Sequence, residues 1–137
     1  MAAVTDLVMR WAEHYNDGTP DSYGTDDYLQ LYAENVDWVE APTLMSPQGR
    51  AGGLQALREA TASGRGNFRN RRVVIDEIVE DGNRAVWIGS WRATVGVEGF
   101  RFPSGTTVEC KVAMFFEVQA GLIVRQRDFL TAAVVTQ

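Results

Sequence analysis

The stretch VAMFFEVQAGLIVRQRDF, residues 112–129, reads as two strands folded around a tight reversal. Bulky, β-prone side chains fill both arms, and Gln119-Ala120-Gly121 supplies the turn between them. Successive side chains of a strand point to opposite faces, so the long arginines Arg125 and Arg127 share one face of the second arm. Val124, Gln126, Asp128 and Leu130 then share the other, which places a carboxylate among apolar neighbours.

The same texture extends back to Phe68. Strands are expected near 68–80, 84–95, 106–118 and 122–130, divided by Glu80-Asp81-Gly82-Asn83, by the segment from Glu98 to Gly105, and by the 119–121 turn. The Asp81-Gly82 pair implies an antiparallel hairpin, and the other links are short enough for an antiparallel meander.

Before Phe68 the periodicity is helical. Val4, Leu7, Val8, Trp11 and Tyr15 recur every three or four residues, which predicts a helix over 3–16 that stops at Asp17-Gly18 before Pro20. Thr25 is placed to cap a second short helix, with Asp26 and Asp27 in its first turn, Tyr28, Leu29, Leu31 and Tyr32 along its body, and its end near Ala33. The segment Val36-Asp37-Trp38-Val39-Glu40 is β-prone, and Pro42, which lacks a ladder donor, stops it. A loop through 43–53 leads to a third helix marked by Leu54, Leu57 and Arg58 and closed by Gly64 and Gly66. The order helix, helix, strand, helix, then four strands is that of an α+β domain spanning 1–137, with helices on one face of a curved, mostly antiparallel sheet.

Composition narrows the function. At 137 residues, 45% apolar and 23% charged, the chain has the balance of a folded globular domain. A formal net charge of −5 disfavours a sequence-independent grip on nucleic acid, since such binding draws on a cationic surface. The four arginines of RGNFRNRR, 65–72, read as a solvated strand start. No run of about 18 apolar residues exists to span a membrane, and Asp6 and Arg10 interrupt any leader-like segment, so an unexported, cytoplasmic protein is expected. One cysteine, Cys110, and one histidine, His14, do not assemble a zinc site, and no cofactor is expected. Gly89-Ser90 lacks the flanking glycines of a nucleophile elbow, Cys110 falls mid-strand, and Gly49-Arg50-Ala51-Gly52-Gly53 lacks the spacing of a phosphate loop.

The element order, with YLQLYAENVDWVEAP (28–42), GRAGGLQALREA (49–60) and the opening stretch in it, resembles the nuclear-transport-factor-2-like superfamily and, within it, the SnoaL-like polyketide cyclase group. The resemblance covers nearly the whole chain. It implies a cone-like half barrel, in which the curved sheet wraps about three helices and encloses one small-molecule pocket, and whose convex face often forms a homodimer. It specifies the reaction poorly, because the superfamily includes isomerases, dehydratases, cyclases, epoxide hydrolases and non-catalytic members.

On that frame Asp128 points into the cone and matches the acidic position of the superfamily's Arg-Asp-aromatic segment. Aligned without a gap, Glu40 falls on the catalytic acid of ketosteroid isomerases; an alternative alignment puts Ala41 there and turns Glu40 outward. Tyr32 matches a pocket tyrosine. The isomerases' helix tyrosine and second acid fall on Trp11 and Val112, and two positions of the epoxide hydrolase triad fall on Ile88 and Ser90. Arg92, one step along the face read as inward on that strand, is a candidate partner for Asp128. Carboxylates beside Trp38, Met114, Phe116 and Leu130 would be desolvated, which raises an acid's pKa toward neutrality. The candidate catalytic set is thus Asp128, Glu40, Tyr32 and Arg92. Trp11, His14, Tyr15, Trp38, Met114, Phe116, Gln126 and Leu130 are candidate binding residues for a hydrophobic small molecule. Trp87, Trp91 and Phe115 are assigned to the convex face as a dimer surface. The expected activity is cofactor-free acid–base chemistry of the cyclase, isomerase, dehydratase or epoxide-opening type, and the alternative is a non-catalytic binding or dimerisation module.

Overall fold

The computed structural model describes residues 4–16, 23–131 and 134–136. Helix α1 (Val4–Tyr15) buries Val4, Leu7, Val8, Trp11 and Ala12 along one stripe. Each large apolar side chain so buried contributes about 1.5–3 kcal/mol, enough to hold a helix too short to persist alone. The stop expected at Asp17-Gly18 lies outside the described residues. Helix α2 is shorter than expected (Asp26–Leu29), with Thr25 in the cap position but no side-chain cap bond. Tyr32 therefore opens strand β1 (Tyr32–Glu40) and does not close a helix.

A three-residue strand, β2 (Arg50–Gly52), occupies part of the expected loop. Helix α3 (Leu54–Asn67) runs through Gly64 and Gly66 to a cap at Phe68, because its buried residues Leu57 and Thr61 lie on a face packed against the sheet. Strands β3 (Phe68–Asp81), β4 (Arg84–Val95), β5 (Thr107–Gln119) and β6 (Leu122–Leu130) follow, and β7 (Val134–Thr136) adds a last short strand.

The sheet order is β2-β1-β6-β5-β4-β3, with β7 paired to β5. All pairings are antiparallel except β1 with β6. That one parallel pairing brings the first long strand beside the last, and it departs from a simple meander. The three helices pack against this open, curved, mostly antiparallel sheet, α1 on β3, β4 and β5, and α3 on β1, β2 and β3. No helix among the described residues is long and apolar enough to cross a membrane.

The structure corrects one face assignment. Trp87 (0% exposed) and Trp91 (7%) point into the core, whereas Ile88 (46%) and Arg92 are exposed on the convex face. Alternation establishes which residues of β4 share a face but not which face is inward. Burial decides that, and the set Ala85, Trp87, Trp91, Ala93, Val95 removes far more apolar surface from water than the set with Ser90, Arg92 and Thr94. Phe115 does lie on the convex face, half-buried under the Arg125 guanidinium 5.0 Å from its ring.

Gly89, buried between the tryptophans, lies opposite a bulge in β3, and a Cβ there would meet the Val74 carbonyl oxygen at 1.9 Å. Gly82 has open space around it and needs only its positive φ of 60°. Gly89→Ala is therefore expected to lower unfolding free energy by about 2–3 kcal/mol through overpacking, and Gly82→Ala by about 1 kcal/mol through backbone strain alone. Urea titration of the two variants side by side measures the contrast.

Candidate functional site

Between the helices and the concave face lies a cavity of about 140 Å³. That is room for on the order of ten waters, and so for a molecule of one or two rings with the remainder in the mouth. Its walls are aromatic where Trp11, Tyr15, Tyr23, Tyr28, Trp38, Trp91 and Phe100 approach, and polar where Glu40, Arg50, Arg71, Gln126 and Asp128 do. At the mouth Arg101 donates to the Leu44 carbonyl, tying the β4–β5 loop to the β1–β2 loop.

Asp128 is 5% exposed and lies on this wall. Trp38 Nε1 donates to its Oδ2 at 2.8 Å, and Gln126 Nε2 donates to Oδ1 at 2.9 Å and Oδ2 at 3.2 Å. The parallel β1–β6 register explains the first bond, since Trp38 is paired with Gln126 and Glu40 with Asp128. Burial pushes the Asp128 carboxyl up from an ordinary 3.8 to about 7, against the lowering effect of the Trp38 and Gln126 donors; Glu40 adds to the rise and Arg50 opposes it.

Behind Asp128 runs a chain of buried hydroxyls. The Tyr32 hydroxyl donates to Gln126 Oε1 at 2.6 Å, which orients the amide so that its N–H groups face Asp128. Tyr32 has one proton to give, so in its 3.1 Å contact with the Tyr28 hydroxyl the donor is Tyr28. Trp11 Nε1 donates to both, at 3.0 Å to Tyr32 and 3.1 Å to Tyr28. Burial raises the pKa of Tyr15, Tyr28 and Tyr32 well above the ordinary phenol value and that of Tyr23 to about 12, so all four are neutral at physiological pH. Cys110 is likewise pushed up by burial to about 12, which makes it inert as a thiol.

Glu40 shares the inward face with Val36 and Trp38, and Ala41 does not line the cavity. Its carboxylate is not solitary. Arg50 Nε donates to Oε1 at 2.9 Å and Nη2 to Oε2 at 3.1 Å, a two-pronged ion pair at the mouth. Of the other expected site residues, Trp11, Tyr15, Trp38, Met114, Gln126 and Leu130 line the cavity. Tyr32 lies one layer behind it, and Phe116 is fully buried beneath, edge-on to Trp11 at 5.4 Å. His14 is half-buried in the last turn of α1, outside the lining.

Arg92 does not reach the site. It is exposed on the opposite face of β4, beside Arg72 and Glu109 on the neighbouring strands, so the expected pairing with Asp128 is replaced by Trp38 and Gln126. Sequence reasoning missed Arg50, Tyr23, Tyr28, Trp91 and Arg71. The positive φ of 73° at Gly49, just before Arg50, belongs to a turn that sequence marked only as a loop. Among the described residues no three His, Cys, Asp or Glu side chains cluster as a metal site requires.

The model of the SnoaL-like domain family matches residues 8–126. The chain belongs to that family. No curated protein matches it in sequence. IdmH of Streptomyces antibioticus superposes with a TM-score of 0.75 at 18% identity, covering 94% of this chain and 92% of that one. A SnoaL-like polyketide cyclase from Agrobacterium tumefaciens superposes at 0.67 and 17% identity over 96% and 93% of the two chains. An NTF2-like protein from Burkholderia thailandensis gives 0.71 and 16% over 96% and 92%. At these identities the likeness is one of fold.

In this SnoaL-like domain the Asp128 carboxyl is held near neutrality by burial set against two donors. Trp38→Phe removes one donor and keeps an apolar ring, so the carboxyl's pKa is expected to rise above about 7. Side-chain ¹³C NMR of the titrating aspartate measures it. A pKa equal to or below the wild-type value contradicts the account.

Proposed function

We propose that this SnoaL-like domain is a cofactor-free acid–base enzyme of the cyclase or isomerase type, acting on a hydrophobic, ring-bearing small molecule. One observation carries the reading. Asp128 is a buried carboxyl on the cavity wall whose side-chain hydrogen bonds among the described residues come from an indole N–H and an amide, groups that exchange no proton at neutral pH. A proton on Asp128 therefore has the cavity's occupant as its exchange partner. A pKa of about 7 suits both removal and return of that proton.

In this reading Asp128 is the catalytic base and acid. Gln126 and Trp38 orient it, and Tyr32 acts through Gln126 without touching the substrate. Trp11, Tyr15, Met114 and Leu130 present the apolar walls that hold rings and exclude water. Glu40, locked in its fork with Arg50, shapes the mouth. Residues 1–137 form one functional unit, and the single buried thiol fits a reducing cytoplasm.

The test is a panel of enolisable bicyclic and tricyclic ketones in deuterated water, followed by mass spectrometry for exchange at the carbon beside the carbonyl and for isomerised or cyclised product. Asp128→Asn is expected to slow exchange by about 10²- to 10⁴-fold while still binding the ketone. Equal rates in the two proteins remove the assignment. A second reading, a binding module without turnover, is favoured by Trp11 and Val112 at the positions where isomerases place their oxyanion donors; ligand recovered unchanged and unexchanged would establish it.

The same reading includes a homodimer. With Trp87 and Trp91 in the core, the apolar row on the convex face is Ile88, Ala113 and Phe129, side by side across β4, β5 and β6, with Ile88 46% and Phe129 53% exposed and Ala113 half-buried between them. Such a row on a sheet face fits a self-complementary contact. Sedimentation of the wild type at tens of micromolar is expected to give a dimer, and Phe129→Glu a monomer; a monomeric wild type removes the dimer.

A further inference from the structure

We propose that Arg50 is the cavity's oxyanion-binding residue, receiving the oxygen of an enolisable carbonyl substrate while Asp128 takes the proton from the adjacent carbon. The inference rests on the acid–base reading above and adds the residue that receives the substrate's oxygen.

Three strands place the groups in one line. Arg50 on β2 is paired with Glu40 on β1, and Glu40 with Asp128 on β6, so a cation and two acids occupy one transverse row of the concave face. Glycines bracket the short strand that delivers Arg50. Gly49 has φ 73°, and a Cβ there would meet the Glu40 carbonyl oxygen at 2.7 Å; Gly52 has φ 151°, and a Cβ there would meet the Ala56 Cβ at 2.5 Å. Only glycine allows β2 to lie this close to β1 and α3.

The guanidinium has donors to spare. It carries five N–H groups in a rigid plane, and the fork to Glu40 uses Nε and one N–H of Nη2. Nη1 has no hydrogen-bond partner among the described residues, while the side chain lines the cavity and keeps 39% of its surface exposed. The guanidinium carbon lies 5.5 Å from the centre of the Trp38 ring, on its face, and the same indole's N–H edge holds Asp128 at 2.8 Å. Trp38 thus carries the proton acceptor on its N–H edge and the guanidinium over its face, so both groups are fixed against one indole of the cavity wall. The cavity's second arginine, Arg71, belongs to another wall: it stacks on Tyr23 at 4.8 Å and donates to the Phe68 carbonyl at 3.1 Å.

The chemistry balances without a co-reactant. The C–H electron pair forms a C=C bond, the carbonyl π pair moves to oxygen, and the proton goes to the Asp128 carboxylate, which becomes neutral. The negative charge passes from the Asp128 carboxylate to the enolate, which carries most of it on oxygen, beside a guanidinium whose partner Glu40 keeps it in place. Donors arranged before the reaction stabilise such a charge more than water does, because they need not reorganise.

The experiment uses 4-nitrophenol, whose anion is coloured and mimics an enolate, against its uncharged methyl ether, 4-nitroanisole. Wild-type protein is expected to lower the apparent pKa of bound nitrophenol by about one unit, a tenfold preference for the anion. Arg50→Gln abolishes that preference while nitroanisole still binds, which shows that the cavity is intact. Glu40→Gln releases the fork, freeing the whole guanidinium, and is expected to tighten anion binding. A phenolate preference that survives Arg50→Gln overturns the assignment. The readout needs no turnover, so it is separable from the base assignment, which falls only if Asp128→Asn leaves ketone exchange unchanged.

Discussion

A carboxyl group removed from water is the constraint around which this structure is organised. Asp128 is 5% exposed, and burial raises its pKa from 3.8 to about 7. Each unit is worth about 1.4 kcal/mol, so keeping it ionised above neutrality costs the folded state about 4 kcal/mol. The sign follows from proton counting. Between pH 4 and 7 the folded protein binds more protons at this site than the unfolded chain, so Asp128 imposes no penalty below about 4 and an increasing one as pH rises through 7. That penalty is a large fraction of a small domain's net stability. Trp38 and Gln126 keep it from being larger, and the apolar core sustains it.

The contact that answers the buried charge spans the chain. Trp38 and Asp128 are 90 residues apart and meet because β1 joins the sheet parallel to β6. A parallel neighbour in register puts Trp38 beside Gln126 and Glu40 beside Asp128, so one pairing sets both the donor to the carboxyl and the adjacent acid. The antiparallel strands β3 to β6 could form without β1, but they would leave Asp128 without its indole donor. The site is therefore completed by the pairing with the greatest loop-closure cost, and it is expected to form late in folding.

Most of the fold was legible because strand and helix periods are local properties. The expected strand limits at 84–95 and 122–130 coincide with β4 and β6, and α1 differs from expectation only at its ends. What was not legible depended on distant partners. Strand β2 has no apolar pattern, and its three exposed residues become a strand only by pairing with β1. The inward face of β6 could be read because two arginines occupied the other side. In β4 a tryptophan pair competed with a polar set that included Arg92, and reading aromatics as an exposed interface inverted the face. Polar content was the better guide there, since two buried indoles outweigh any plausible contact they could make at a surface. For Glu40 the position was legible and its state was not. Nothing local to VDWVE announces that Arg50, across a turn, will hold the carboxylate in a fork.

The direction of the hydrogen bonds limits what the cavity can receive. From Tyr28 to Tyr32 to Gln126 to Asp128 every donor points toward the carboxyl, and Trp38 donates to it from the other side. In a low-dielectric interior such an aligned chain favours negative charge at its terminus, and reversing any link leaves a buried acceptor facing an acceptor. Asp128 thus resists protonation from behind and offers its exchangeable position forward. When it is protonated it must donate, and the occupant facing it must accept; when it is ionised the occupant must present a proton. A saturated hydrocarbon meets neither demand. In the proposed reaction an apolar molecule bearing a polarised C–H bond meets the second demand, and after losing that proton it meets the first.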